Sequence, residues 1–385
     1  MLSILLTTRN RPHALLRHVR RLCATPLASS AHAELLILDR DSPERVMLAP
    51  AVVNPPSGAW SVRYHLLSQR TRVGALREAR QLIDPRSRWC LVLDDRTTPV
   101  LEHADHVLDA LDDWEAAVGV VAADVYEKLP GQRARRGRGG LPEVVRGCAY
   151  AIRSDALACF DDMSTDLHGF ASELDLSAAA MRAGYRTAFD ARLLAIRGVP
   201  EPASDTRHLG RWLMDRLRFV HASAPESERA EAIALMLRIA LRRSGRWIGE
   251  HEFADWERHV EDRLAQAPAP LRPALGRDQW DRLTGLASAR DAIAAHVARG
   301  RTRIAIIQEG DDAPLIQRAL REAGATLVSP DDRPHAMVLG TLEPGVLLDA
   351  MLRLGDKKRG AAIIAPWTPP MPAPTLVRTP RRAAA

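Results

Sequence analysis

Apolar positions along the first 200 residues fall into two alternating rhythms. Short, nearly unbroken apolar runs at residues 2–7, 34–39, 62–67, 89–93 and 118–122 read as buried strands. Between them, Pro12 is placed to open a helix in which Leu15, Leu16, Val19 and Leu22 recur at helical spacing. Residues 74–83 and 101–111 read as further helices. This alternation predicts an α/β layout with a largely parallel sheet and helices on both faces. Such sheets bind ligands outside the carboxyl ends of their strands, and Asp39 and Asp94 stand at two such ends.

Beyond residue 122 the rhythm changes. Residues 128–142 are rich in Gly and Arg and predict a mobile surface loop. Its arginines, over 133–138, are either a solvated loop or a lid over phosphate. A strand over 144–152, a short helix near 154–160 and a helix from Glu173 to Ala183 follow, with Gly184 as its C-cap. Residues 186–197 read as strand. A boundary at 199–205 separates residues 1–200 from a helical segment at 207–299. The βα rhythm returns in a small Rossmann-like domain at 302–367, and the Pro-, Arg- and Ala-rich tail at 368–385 predicts disorder. In that small domain Asp311 and Asp312 occupy the turn where a pyrophosphate would sit, which argues against a bound dinucleotide.

Composition sets limits. The chain of 385 residues is 46% hydrophobic and 26% charged, a soluble globular balance with material for more than one core. Its net charge is +6, and all but three of its 54 basic residues are arginine. The excess is spread evenly, with +2 over residues 1–200, +1 over 201–300 and +3 over 301–385. A nucleic-acid surface concentrates charge on one face, and aromatics at 4% are too few for a base-stacking platform, so no nucleic-acid partner is expected. Cys23, Cys90, Cys148 and Cys159 show no metal-ligand or disulfide spacing and suit a reducing cytoplasm. No signal peptide and no membrane-spanning run are read, which leaves peripheral attachment to a membrane's inner face open.

The chemistry gathers in three acidic constellations. Asp39-Arg40-Asp41-Ser42 follows the second strand, Asp94-Asp95-Arg96 follows the fourth, and Ser172-Glu173-Leu174-Asp175-Leu176 opens a helix ending in Arg182-Ala183-Gly184-Tyr185. Asp39 alone is as readily a turn cap as a ligand. Two adjacent acids after an apolar strand are harder to explain structurally. The order and spacing of these groups, with Thr7-Thr8-Arg9-Asn10-Arg11-Pro12, Arg72-Val73-Gly74 and Arg146-Gly147-Cys148, resemble the family-2 glycosyltransferases of the GT-A fold over about 190 residues.

That resemblance implies a GT-A nucleotide-diphospho-sugar transferase-like domain over residues 1–200 and an inverting, non-processive transfer of sugar from a nucleotide-sugar donor to a hydroxyl. The acceptor would be a glycan, a lipid-linked glycan or a protein. It places Thr8, Arg9, Asp39, Arg72, Gly74, Asp94, Asp95 and Arg96 at the donor, Glu173 as the base, and Asp175 at the helix start or the acceptor. The family's divalent cation, Mn²⁺ or Mg²⁺, is put in question because Arg96 stands where an acid is usual. Asp95 and His208 remain as ligand candidates, although Arg197 lies nearer the expected position of a metal-binding His. The sequence therefore points to Arg96 as a fixed cation for the diphosphate. The alternative is a degenerate, nucleotide-sugar-binding scaffold, with residues 207–367 recruiting pathway partners or a second copy.

Overall fold

The computed structural model describes residues 1–24, 32–40, 42, 60–69, 71–100, 104–129, 133–137, 140–145, 147–198, 206–244, 262, 272–355 and 361–368. The expected tail, from 369 on, and the linker at 199–205 lie outside the described residues.

Four strands form the parallel half of a nine-stranded sheet: β1 (Leu2–Thr8), β2 (Ala33–Arg40), β3 (Trp60–Leu67) and β4 (Trp89–Asp94), in the order β3-β2-β1-β4. The runs that predicted them are buried throughout β1 and nearly so in β2 and β4. Helices cover both faces, and strands that never meet water have no polar side to alternate with. Helix α1 (Pro12–Cys23) has Pro in its first turn and buries Leu15, Val19 and Leu22. Helix α2 (Arg72–Ala79) is capped by Thr71, whose hydroxyl accepts from the Gly74 amide at 3.2 Å.

The second half of the sheet is mixed, where the sequence predicted a largely parallel sheet and set no direction for the later strands. After β5 (Thr97–Pro99) and helix α3 (Ala104–Asp112), β6 (Val118–Lys128), β7 (Arg135–Arg136), β8 (Ala149–Arg153) and β9 (Arg186–Gly198) complete it. The order runs β4-β8-β6-β9-β5, with β8 antiparallel to both β4 and β6. β5 begins three residues after β4 ends, yet it pairs at the far edge with β9. The sheet therefore curls round until that edge returns to the carboxyl end of β4.

Two expectations change here. The strand predicted over 144–152 is confined to Ala149–Arg153. Val144 instead makes an isolated bridge with Leu141, and the Val145 amide donates to Ser177 Oγ at 3.3 Å, so both valines are buried outside the sheet. The loop predicted over 128–142 contains β7, paired with β6. Arg136 is held by Asp124 at 3.0 Å and Asp349 at 3.3 Å and lies over the Tyr126 ring, so it cannot serve as part of a lid over phosphate.

Helix α4 (Phe170–Arg182) carries the third acidic constellation and ends as the sequence indicated. Gly184 adopts φ +84°, and the Tyr185 amide donates to Ala180 O at 2.9 Å, closing the terminal carbonyls. Against α4 pack α5 (Thr206–Ser223), α6 (Glu226–Ser244) and α7 (Arg277–Thr284), through Leu174, Ala178, Met181, Phe219, Trp280 and Leu283. Next come α8 (Leu286–Val297), β10 (Arg303–Ile307), α9 (Ala313–Glu322), β11 (Thr326–Leu327), β12 (Ala336–Leu339), α10 (Pro344–Gly355) and β13 (Ala362–Ile364). Their parallel sheet has the order β11-β10-β12-β13. Its core is continuous with Ala122, Phe189 and Ala191 of the first sheet, and Trp367 stands edge-on to Phe189 at 6.1 Å.

One half-buried acid in this region has a measurable consequence. The Asp312 carboxylate accepts from the Leu342 amide at 2.8 Å, and burial pushes its pKa up to about 6. The folded protein thus holds a proton that the unfolded chain releases near pH 4, so stability falls as pH rises from about 4 to 6. Asp312→Asn keeps the acceptor and removes the charge. It is expected to raise stability above pH 7 by up to about 3 kcal/mol and to leave it unchanged below pH 4, as read by urea unfolding at both pH values.

Candidate functional site

The carboxyl ends of β1, β2 and β4 and the start of β5 bring together most of the residues singled out in the sequence. Asp39 ends β2 fully buried. Its Oδ2 accepts from the Tyr64 hydroxyl at 2.5 Å and its Oδ1 from the Ser42 hydroxyl, which in turn accepts from the Asn10 amide at 2.8 Å. Asn10 sits at φ +54°, so the chain leaving β1 turns sharply over this carboxylate. A buried carboxylate with two hydroxyl donors is a rigid acceptor facing the strand ends.

Thr8, at the end of β1, donates through Oγ1 to Asp95 Oδ2 at 2.9 Å, and Arg11 Nη1 pairs with Asp95 Oδ1 at 3.2 Å. Asp94 Oδ1 accepts from the Arg96 amide at 3.0 Å and from Thr97 Oγ1 at 2.5 Å. Its Oδ2 faces Arg197 Nε at 3.5 Å. The β5–β9 ladder sets that last contact, because Thr97 is the register partner of Arg197. His18, on α1, places Nδ1 3.4 Å from Thr98 Oγ1, and burial lowers its pKa to about 4, so a neutral imidazole backs β5.

Glu173 lies in the first turn of α4 and meets Arg72 across Gly147. A methyl group built on Gly147 would stand 2.8 Å from Glu173 Oε1 and 3.2 Å from Arg72 Nη1. Arg72 lies over the Tyr150 ring at 6.0 Å. Burial pushes the Tyr150 hydroxyl up to about 12, so it stays a neutral donor.

Arginines link these groups into one ring. Arg40, whose Nε donates to Thr8 O at 3.4 Å, is held below the usual arginine range by burial and by the nearby charges of Arg72 and Arg9. Arg96 is lowered in the same way, by burial and then by Arg11. Two guanidinium nitrogens, Arg72 Nε and Nη2, are buried with no hydrogen-bond acceptor, and Arg197 Nε, also buried, has only its 3.5 Å ion-pair contact with Asp94. Unsatisfied buried donors cost about 1–3 kcal/mol each, and here they crowd one cleft.

Other expected residues are placed elsewhere. Asp175 is buried on another face of α4, where it accepts from the Ser164 amide and faces Arg272 at 3.5 Å, which pins the helix start. Gly74 is packed against the Gln69 side chain inside the α2 cap. Arg9 is exposed at the exit of β1. His208 is in the first turn of α5, but its side chain lies outside the described residues. Sequence reasoning passed over Tyr64; Arg40, Ser42 and Arg11 stood within its motifs but were assigned no role. Tyr64 reaches the site solely through the β2–β3 pairing, which no spacing rule reveals.

The donor set does not fit a resident Mn²⁺ or Mg²⁺ ion. Such an ion takes several oxygen ligands in near-octahedral array. Both oxygens of Asp95 are already bonded, Asp94 is engaged by Thr97, the Arg96 amide and Arg197, and the charges nearby are guanidinium groups. Among the described residues no group of three His, Cys, Asp or Glu side chains is placed to hold a metal. Nor is any described helix long and apolar enough to cross a membrane.

No protein-family model matches the sequence, and no curated protein matches it. Among solved structures, S. aureus TarS 1–349, also solved with UDP-GlcNAc, is similar at 12% identity over 84% of this chain and 90% of that chain, with a TM-score of 0.48. GalNAc-T7 with UDP, GalNAc and Mn²⁺ is similar at 12% identity over 68% of this chain and 54% of that one, with a TM-score of 0.44. The mannosyltransferase PcManGT from Pyrobaculum calidifontis, in complex with GDP-Man and Mn²⁺, is similar at 14% identity over 69% and 80% of the two chains, with a TM-score of 0.39.

Proposed function

We propose that the protein is a glycosyltransferase that moves a sugar, with inversion, from a nucleotide-diphosphate donor to a hydroxyl acceptor. The observation that carries this reading is the meeting of one carboxylate, Glu173, with the guanidinium of Arg72, whose buried Nε and Nη2 lack acceptors, beside the carboxyl ends of a parallel sheet. An inverting transfer needs these two elements: a base beside the attacking hydroxyl, and positive charge where the leaving diphosphate develops its own charge. In this reading Asp39, held by Tyr64 and Ser42, accepts from the base or ribose of the nucleotide. Thr8 and Asp95 line the nucleoside, with Arg9 at the rim. Glu173 takes the acceptor's proton, and Asp175 positions Glu173 by fixing the start of α4.

A second reading, a nucleotide-sugar-binding scaffold without turnover, is favoured by the engagement of both Asp94 and Asp95 in internal contacts. One experiment separates the two. The full chain is incubated with UDP-, GDP-, dTDP- and ADP-sugars, and nucleoside diphosphate release is followed with water as the acceptor. Release from one donor class, above a heat-denatured control, is expected for a transferase. Binding of a donor without release would establish the scaffold.

A further inference from the structure

Resting on the reading just given, we propose that Arg96, Arg197 and Arg72 together neutralise the donor's diphosphate, so that neither its binding nor its departure needs a divalent cation.

Arg96 and Arg197 stand on neighbouring rungs of the β5–β9 ladder. Thr97 pairs with Arg197, and the Gly198 amide donates to Arg96 O at 2.9 Å. The sheet therefore fixes the backbone of both arginines, which arranges their charge before any ligand arrives. Arg72 stands beside Glu173, since its Nη1 and Glu173 Oε1 would both crowd a methyl group at Gly147. Arg197 lies 3.5 Å from Asp94, and its charged form is favoured by both Asp94 and Glu173.

Three facts make a phosphate oxygen the partner these groups lack. Arg72 Nε and Nη2 are buried without an acceptor, and Arg197 Nε, also buried, has only the 3.5 Å ion-pair contact with Asp94. The guanidinium fork matches the spacing of phosphate oxygens and is more weakly hydrated than an ammonium. A metal ion at Asp94 and Asp95 would have to displace contacts already made and sit against Arg11, Arg96 and Arg197. A diphosphate relieves the mutual repulsion of these arginines, whereas a dication adds to it.

The step balances within this chain. The acceptor oxygen attacks the anomeric carbon as its proton passes to Glu173. The bond from the anomeric carbon to the β-phosphate oxygen breaks, and its electron pair stays on that oxygen as negative charge facing the guanidinium groups. Because arginine remains protonated across the physiological range, this neutralisation does not titrate.

The test is calorimetric binding of UDP, GDP, dTDP, CDP and ADP to the full chain, in EDTA and in MnCl₂. We expect at least one diphosphate to bind with a Kd that differs less than about threefold between the two buffers. Arg96→Met and Arg197→Met should each weaken it about tenfold or more in EDTA, since each removes charge-assisted hydrogen bonds. Arg197→Lys should recover part of that loss. Circular dichroism and the thermal midpoint check folding, and Arg96→Met, at a partly exposed position, carries the test if Arg197→Met does not fold. Binding that appears only with MnCl₂, or that both Met variants leave unchanged, overturns this proposal while nucleotide recognition stands. No binding of any diphosphate in either buffer overturns both.

Discussion

Glu173→Gln is expected to lower nucleoside diphosphate release from the matching nucleotide sugar by about 10²–10⁴-fold while leaving the diphosphate Kd within about twofold. The range is that of a positioned general base, and it corresponds to about 3–5 kcal/mol of activation free energy. Glutamine has nearly the shape of glutamate, so the packing of the side chain against Gly147 is kept. What is lost is the capacity to accept a proton. The guanidinium groups proposed to grip the diphosphate are untouched, and they lose one competing negative charge, which is why binding should hold or tighten slightly. A Kd that collapses along with turnover would mean that Glu173 holds the donor rather than the acceptor's proton. Turnover unchanged would remove Glu173 from the chemistry altogether.

The location of the site was legible in the sequence because it depends on strand ends. An apolar run that stops at an acid marks the point where a buried strand reaches solvent, and both Asp39 and Asp94 were found that way. The curl of the sheet was not legible. β5 is three residues long and pairs with β9, roughly a hundred residues later, so nothing local shows that Arg197 faces Asp94. The late start of β8 was hidden for another reason: Val144 and Val145 are as buried as strand residues, and burial alone does not distinguish a sheet strand from a packed connection. In the Arg-rich stretch Arg133 and Arg135 are exposed, as its composition suggests, but Arg136 finds Asp124 and Asp349 across the fold, and that tertiary ion-pair cluster overrides the local signal at this one residue. Spacing within α4 did separate Glu173 from Asp175 once the helix was placed, since residues two apart on a helix face nearly opposite ways.

Gly147→Ala is expected to reduce turnover about 100-fold with little loss of stability. The added methyl would lie 2.8 Å from Glu173 Oε1, 2.9 Å from Glu173 Cγ and 3.2 Å from Arg72 Nη1. The expected effect is one of space around Glu173 and Arg72. The atoms in its way belong to a side chain in the first turn of a helix, which can rotate toward the open cleft rather than strain the core. The protein therefore stays folded, within about 1 kcal/mol, but its carboxylate moves by about 1 Å, and a misplacement of that size is sufficient for a 10²-fold loss. Arg72 is crowded less, so the diphosphate Kd should rise only severalfold. A fall in kcat that far exceeds the rise in Kd, at an unchanged thermal midpoint, is the expected pattern. Equal losses in both would place Gly147 at the donor, and an unaltered kcat would show that the close approach of Glu173 to Gly147 plays no part in the reaction.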